Sequence, residues 1–113
     1  MQGFNRVFIM GHLGAEPEIK QSQGGDYYTR LSIANNYTDR NKTQHTDWFN
    51  VMVWGAQAEN AARFLTKGSG VMVEAYLDHY TRESESGGTE KRLGLKAKNL
   101  QFLPRSKSAL GND

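Results

Sequence analysis

Thr46-Asp47-Trp48-Phe49-Asn50-Val51-Met52-Val53-Trp54-Gly55 is followed by Ala56-Gln57-Ala58-Glu59-Asn60-Ala61-Ala62-Arg63-Phe64-Leu65-Thr66-Lys67-Gly68-Ser69-Gly70 and then by Val71-Met72-Val73-Glu74-Ala75-Tyr76-Leu77. Asp47 to Trp54 is rich in aromatic and β-branched residues and too short for a typical helix, which predicts a strand. Side chains alternate across a strand, so Trp48, Asn50, Met52 and Trp54 share one face and Phe49, Val51 and Val53 the other. A half-polar face carrying two tryptophans is unusual and marks a candidate binding surface. The next segment changes period. Ala58, Ala61, Ala62 and Leu65 fall at i, i+3, i+4 and i+7, one stripe of an amphipathic helix. Gly55 suits its N-cap, Lys67 its last turn, and Gly68 a left-handed C-cap. After Gly70 the period returns to two, with Val71, Val73, Ala75 and Leu77 on one side.

Working outward, Phe4 to Leu13 is almost continuously apolar, which predicts a strand covered on both faces, by its own core and by another layer or subunit. Pro17 ends it, having no N–H to donate. Gly24-Gly25-Asp26 signals a turn, and Tyr27 to Asn36 reads as a second strand with Leu31 and Ile33 inward. Asn35 to Thr46 is polar and lacks apolar periodicity, which predicts a long hairpin loop. Arg82 to Glu90 reads as another hairpin tip, and Lys91 to Leu103 as a last strand. Pro104 to Asp113 shows no pattern and is expected to be disordered, leaving residues 1–103 as the folded domain. Three strands, a short helix and two strands is the order of an all-β, five-stranded OB-fold, a Greek-key barrel with one short α-helix between strands 3 and 4. The small inner face of the helix suits a plug at the end of the barrel.

Composition bounds the function classes. A chain of 113 residues is one domain, able to bury roughly two thirds of its unfolded surface. It has no cysteine, so disulfides and thiolate metal sites are excluded. No apolar run approaches the length of about 20 residues that crosses a bilayer, and the start lacks the form of a signal peptide, so a cytoplasmic protein without a membrane association is expected. Fourteen basic residues against twelve acidic ones leave a net charge of +2, too little for a polycation. Any affinity for nucleic acid must therefore come from local placement of charge together with something else, and twelve aromatics are a candidate for it. His12, His45 and His79 have no partners at ligand spacing, and no metal site or cofactor is expected.

The chain resembles the bacterial-type single-stranded DNA-binding proteins over nearly all of Phe4 to Leu103. The resemblance rests on Asn5-Arg6-Val7 leading to Gly11, Leu13, Gly14 and Pro17-Glu18. It continues through Thr46-Asp47-Trp48, Val51, Val53 and Trp54-Gly55, then Ala58-Glu59, Leu65-Thr66-Lys67-Gly68-Ser69 and Val71-Met72-Val73-Glu74. It implies a homotetramer that wraps single-stranded DNA without sequence preference, in replication, recombination and repair. It places stacking aromatics at Trp48 and Trp54, in the hairpin after the second strand (Tyr37 is the nearest aromatic), and in the hairpin after the fourth. There Arg82 aligns where the family often has tryptophan, and Tyr80 on the same strand face can substitute. Cellular members usually end in a long linker and an acidic tip that recruits replication and repair enzymes. This chain reads Leu110-Gly111-Asn112-Asp113 at its end, so it is expected to coat DNA without recruiting those tail-dependent partners.

Single-stranded nucleic acid offers a phosphate per nucleotide and unstacked base faces, and a binder indifferent to sequence meets them with cations and flat aromatics. Arg40, Lys42, Lys67, Arg82 and Arg92 are the candidates for phosphate, and Arg82 can also stack on a base. A nuclease on the same fold would need carboxylates converging on a metal, and the Trp-Asn-Met-Trp face has none. An RNA-binding or primosome-type module is the other alternative, since stacking alone does not separate DNA from RNA.

Overall fold

The computed structural model describes residues 1–104, so the expected disordered tail lies almost wholly outside the described residues. Seven elements follow in order: β1 (Val7–Leu13), β2 (Lys20–Gln21), β3 (Tyr27–Thr38), β4 (Gln44–Trp54), α1 (Ala56–Phe64), β5 (Gly70–Glu83) and β6 (Thr89–Phe102). The sheet runs β1-β5-β6-β4-β3-β2, and an extra β1–β3 pairing closes the five long strands into a barrel. All ladders are antiparallel except β4–β6, which is parallel. This is the expected OB-fold arrangement. The helix falls between β4 and β5 because the two-residue β2 adds a strand ahead of it. Counted over the long strands alone, it follows the third.

Alternation builds the core. Ile9 and Leu13, Leu31 and Ile33, Val51 and Val53, and Val71, Val73 and Ala75 all turn inward and are buried. Ala58, Ala61 and Leu65 from the helix stripe complete the same cluster. The helix packs on β3 and β4, where its alanines allow close approach. Closure needs Gly11, because a Cβ there would sit 2.2 Å from the Ala34 carbonyl oxygen on β3.

Three local expectations are corrected. The predicted long loop over Asn35 to Thr46 is mostly strand: β3 and β4 pair as far as Thr38↔Gln44, leaving Asp39 to Thr43 as the turn. A polar stretch conceals its strand when neither face is buried, and here both faces meet solvent. Gly68 is not the helix C-cap. The helix ends at Phe64 with extended Leu65 as its cap, and Arg63, not Lys67, is the basic residue of the last turn. Gly68 instead takes φ 92° in the turn before β5, where its N–H donates to the Leu13 carbonyl at 2.7 Å. Within the chain the core covers the inner face of β1, and Phe8 and Met10 on its other face, the one expected to meet another layer or subunit, are 68% and 58% exposed. Finally, Leu77 is exposed beyond a bulge at Glu74/Ala75 that shifts the β5–β6 register.

Candidate nucleic-acid interface

The exposed face of β4 is the floor of a groove of about 670 Å³. Trp48, Asn50, Met52 and Trp54 line it, as the strand alternation requires. Both tryptophans are on the surface, Trp48 57% exposed and Trp54 36%. Six residues of strand separate them by about 20 Å, room for several stacked bases.

Register fixes what surrounds them. On β3, Tyr28 lies opposite Trp54, and Arg30 opposite Met52. On β6, Lys96 lies beside Met52, and on β5 Tyr76 lies opposite Lys96. Arg30, Met52 and Lys96 therefore form one row across the sheet, a cation on each side of a thioether. Lys96 also carries its ammonium 5.8 Å from the Trp54 ring centroid, while Tyr28 packs against the same ring at 4.9 Å with a 32° tilt. These two neighbours hold the indole in place, one of them setting a positive charge over its ring.

At the other end, Trp48 lies on Gly14: a Cβ at that glycine would stand 2.4 Å from the indole. Tyr80 lies over Gly94, where a Cβ would stand 3.0 Å from the ring. Two aromatic platforms are thus seated on two glycines, each lacking the side chain that would lift the ring away.

The expected residues divide into two groups. Trp48, Trp54 and Tyr80 line the groove. Tyr37, Arg40 and Lys42 belong to the β3–β4 hairpin outside it, Lys67 to the turn before β5, and Arg82 and Arg92 to the β5–β6 hairpin. Arg92 is engaged with its own strand neighbour, both Nε and an Nη donating to the Glu90 carboxylate at 3.1 and 2.9 Å. Glu90 therefore neutralises a cation on this arm. Sequence reading missed Arg30, Lys96, Tyr28 and Gly94. The period-two pattern placed Arg30 opposite Leu31, and a glycine inside a strand signals a close approach, but only register brings these residues to Trp54 and Tyr80.

The β3–β4 hairpin has its own order. Tyr37 stacks on His45 with centroids 5.1 Å apart and planes 21° from parallel. Tyr37 remains 45% exposed. Asp39 organises the turn: its Oδ1 accepts the N–H groups of Asn41 and Thr43 at 2.8 and 2.9 Å, and its Oδ2 contacts His45 Nε2 at 2.7 Å. These contacts, the His45 hydrogen bond foremost and then the Thr43 amide, hold the Asp39 carboxyl below its ordinary value. Lys42 takes φ 64° at the tip.

The chain is 36% identical over 107 residues to the single-stranded DNA-binding protein of Xanthomonas axonopodis pv. citri, covering 90% of this chain and 59% of that one. For the single-stranded DNA-binding protein of Xanthomonas campestris pv. campestris the identity is 37%, over 90% of this chain and 62% of the relative. Single-stranded DNA-binding protein 1 of Xylella fastidiosa is 32% identical over 91% of this chain and 79% of its own length. The chain thus spans about three fifths of the two Xanthomonas relatives. The model of the Single-strand binding protein family matches residues 4–103, and the chain belongs to that family.

Proposed function

We propose that the chain binds single-stranded DNA without a fixed sequence requirement, stacking bases on Trp48, Trp54 and Tyr80 and holding phosphates with Arg30 and Lys96. One observation carries the reading: two exposed tryptophans face outward from one strand, in a groove that also holds two cations. Stacking is indifferent to base identity because every base has a π-face, and each stack is worth about 1–3 kcal/mol. Tyr37, Arg40 and Lys42 extend the path along the β3–β4 hairpin, and Arg82, with Arg92 once released from Glu90, along the β5–β6 hairpin. Lys67 is the more remote candidate. The relatives' names and the family membership support the choice of single-stranded DNA over RNA.

The same reading takes residues 1–103 as one binding domain of a cytoplasmic protein that protects single strands during replication, recombination and repair, leaving them chemically unchanged. It assembles as a homotetramer, for which the exposed Phe8 and Met10 on β1 supply apolar surface.

Tryptophan fluorescence titrated with oligo(dT), matched RNA and duplex DNA, at two salt concentrations, tests the reading. Strong quenching by oligo(dT) with little response to duplex is expected. Equal quenching by RNA would remove the DNA preference, and no quenching by any single strand would overturn the interface.

A further inference from the structure

The β3–β4 hairpin carries its aromatic pair on the side away from the groove. Its ladder runs without a shift from Tyr28↔Trp54 to Thr38↔Gln44, so side chains alternate faces all along it. His45 lies three residues before Trp48, and Tyr37 three after Ala34, the residue opposite Trp48. Tyr37 and His45 therefore share the face opposite the tryptophans. Beyond Trp48 the groove face of the hairpin shows Asn36 with Thr46, then Thr38 with Gln44, and no ring. The hairpin's own aromatic is held from two directions. His45 stands directly across from Tyr37 and stacks on it, centroids 5.1 Å apart and planes 21° from parallel. Asp39 contacts the Nε2 of His45 at 2.7 Å while its other oxygen accepts the Asn41 and Thr43 amides, which ties the imidazole to the turn. Arg40 and Lys42 in that turn have no ion-pair partner among the described residues.

We propose that Tyr37 and His45 form a second stacking site on the far side of this hairpin, where Tyr37 meets a base and His45 is the positioning residue for its ring. The inference rests on the single-strand reading above and extends it to strands long enough to leave the groove and cross the turn. An exposed tyrosine that rotates freely must be ordered when a base stacks on it, and that ordering subtracts from affinity. Here the imidazole orders the ring beforehand, and Asp39 orders the imidazole. Tyr37 keeps 45% of its surface exposed for a ligand. Arg40 and Lys42 supply cations for the backbone of a strand that crosses the turn. The pair thus adds nothing to a strand that only fills the groove.

The test uses tryptophan quenching by two lengths of oligo(dT), about 6 and about 20 nucleotides, the second longer than one such domain ordinarily occupies. Tyr37→Ala should weaken binding of the long oligonucleotide by about fivefold or more, the share of one stack, and leave the short one within about twofold. His45→Gln should weaken the long one by about two- to tenfold, the range for ordering one side chain. His45→Phe, which keeps a ring against Tyr37, should restore most of that loss. In a Tyr37→Ala background His45→Gln should change nothing, because the imidazole acts only through the tyrosine. Quenching by the short oligonucleotide reports in each variant that the barrel is folded. A loss from His45→Gln that is the same with and without Tyr37, or the same for both lengths, would make His45 a brace of the hairpin alone and overturn the inference. So would long-oligonucleotide affinity unchanged in Tyr37→Ala, and either result leaves the single-strand reading standing. Absence of quenching of the wild type by either length would overturn both.

Discussion

Truncating the two tryptophans separately should split stability from binding. Trp54 is 36% exposed and Trp48 57%. For a side chain of about 250 Å², burial is then about 160 Å² for Trp54 and about 110 Å² for Trp48. At about 25 cal/mol per Å² the difference is about 1.3 kcal/mol of fold stability. The tilted Tyr28 packing at 4.9 Å belongs to Trp54 alone and adds about 0.5–1.5 kcal/mol. Trp54→Ala should therefore be less stable than Trp48→Ala by about 2 kcal/mol, a urea midpoint lower by about 1 M. Affinity should rank the other way. Trp48 offers more free ring, and losing it removes a full stack of about 1–3 kcal/mol, about 5- to 150-fold in Kd. Trp54→Ala should lose only about fivefold, because part of its ring already serves Tyr28 and Lys96. Urea denaturation and oligo(dT) titration of the two variants supply both rankings. Equal stabilities, or a larger affinity loss in Trp54→Ala, would refute the division of roles.

Thr29 is 1% exposed, and its hydroxyl has no hydrogen-bond partner among the described residues, so Thr29→Val should stabilise the fold by about 1 kcal/mol and raise Tm by about 4–8 °C in a thermal melt. Lys96→Ala should flatten the logarithmic salt dependence of oligo(dT) binding by about 0.7, the share of one phosphate, while Arg92→Ala, removing a cation already paired with Glu90, should change it less. Asp39 has its folded pKa below the unfolded one, so its contribution to stability is present above the unfolded value near 3.8 and is lost as the pH falls through the folded value. Denaturation of the wild type and Asp39→Asn should accordingly differ at neutral pH and converge in acid.

The barrel was legible because its core obeys period two on β3, β4 and β5 and period 3.6 on the one helix. Val51, Val53, Val71 and Val73 could be placed inside, and Trp48 and Trp54 outside on one face, with no structure in hand. The β3–β4 turn was not legible. Periodicity detects a strand by a face it buries, and Asn36 to Thr46 buries neither, being held by cross-strand pairs such as Thr46 on Asn36 at 2.7 Å. The groove's cations were missed for a different reason. Arg30 and Lys96 are 66 residues apart in the chain and meet only because β3, β4 and β6 are neighbours in a closed barrel. Loop cations drew the attention instead, since hairpins are where a sequence shows charge without apolar pattern. Gly14 and Gly94 belong to the same class: each is a turn or bulge signal in sequence, and a seat for an aromatic ring in space.

The placement of charge explains how a chain of net charge +2 can present an anion-binding face. Arg6 is paired with Glu74 at 3.1 Å, on the other side of the β5 arm's pleat from the core, and Arg92 is paired with Glu90 at 2.9 Å. Those cations are largely cancelled where they stand. Arg30 and Lys96 have no such partner among the described residues and share one row of the groove. The field a strand meets is set by the unpaired charges near it, because exposed charges more than about 10 Å away are screened at ordinary salt. Within the groove itself two free cations neutralise few phosphates. On the proposed reading the greater part of the groove's affinity would then come from Trp48, Trp54 and Tyr80, and an aromatic stack does not release counterions when it forms. A small net charge and exposed indoles are thus two sides of one arrangement, and on the proposed reading the chain would grip its ligand by the bases and use charge chiefly to orient the backbone.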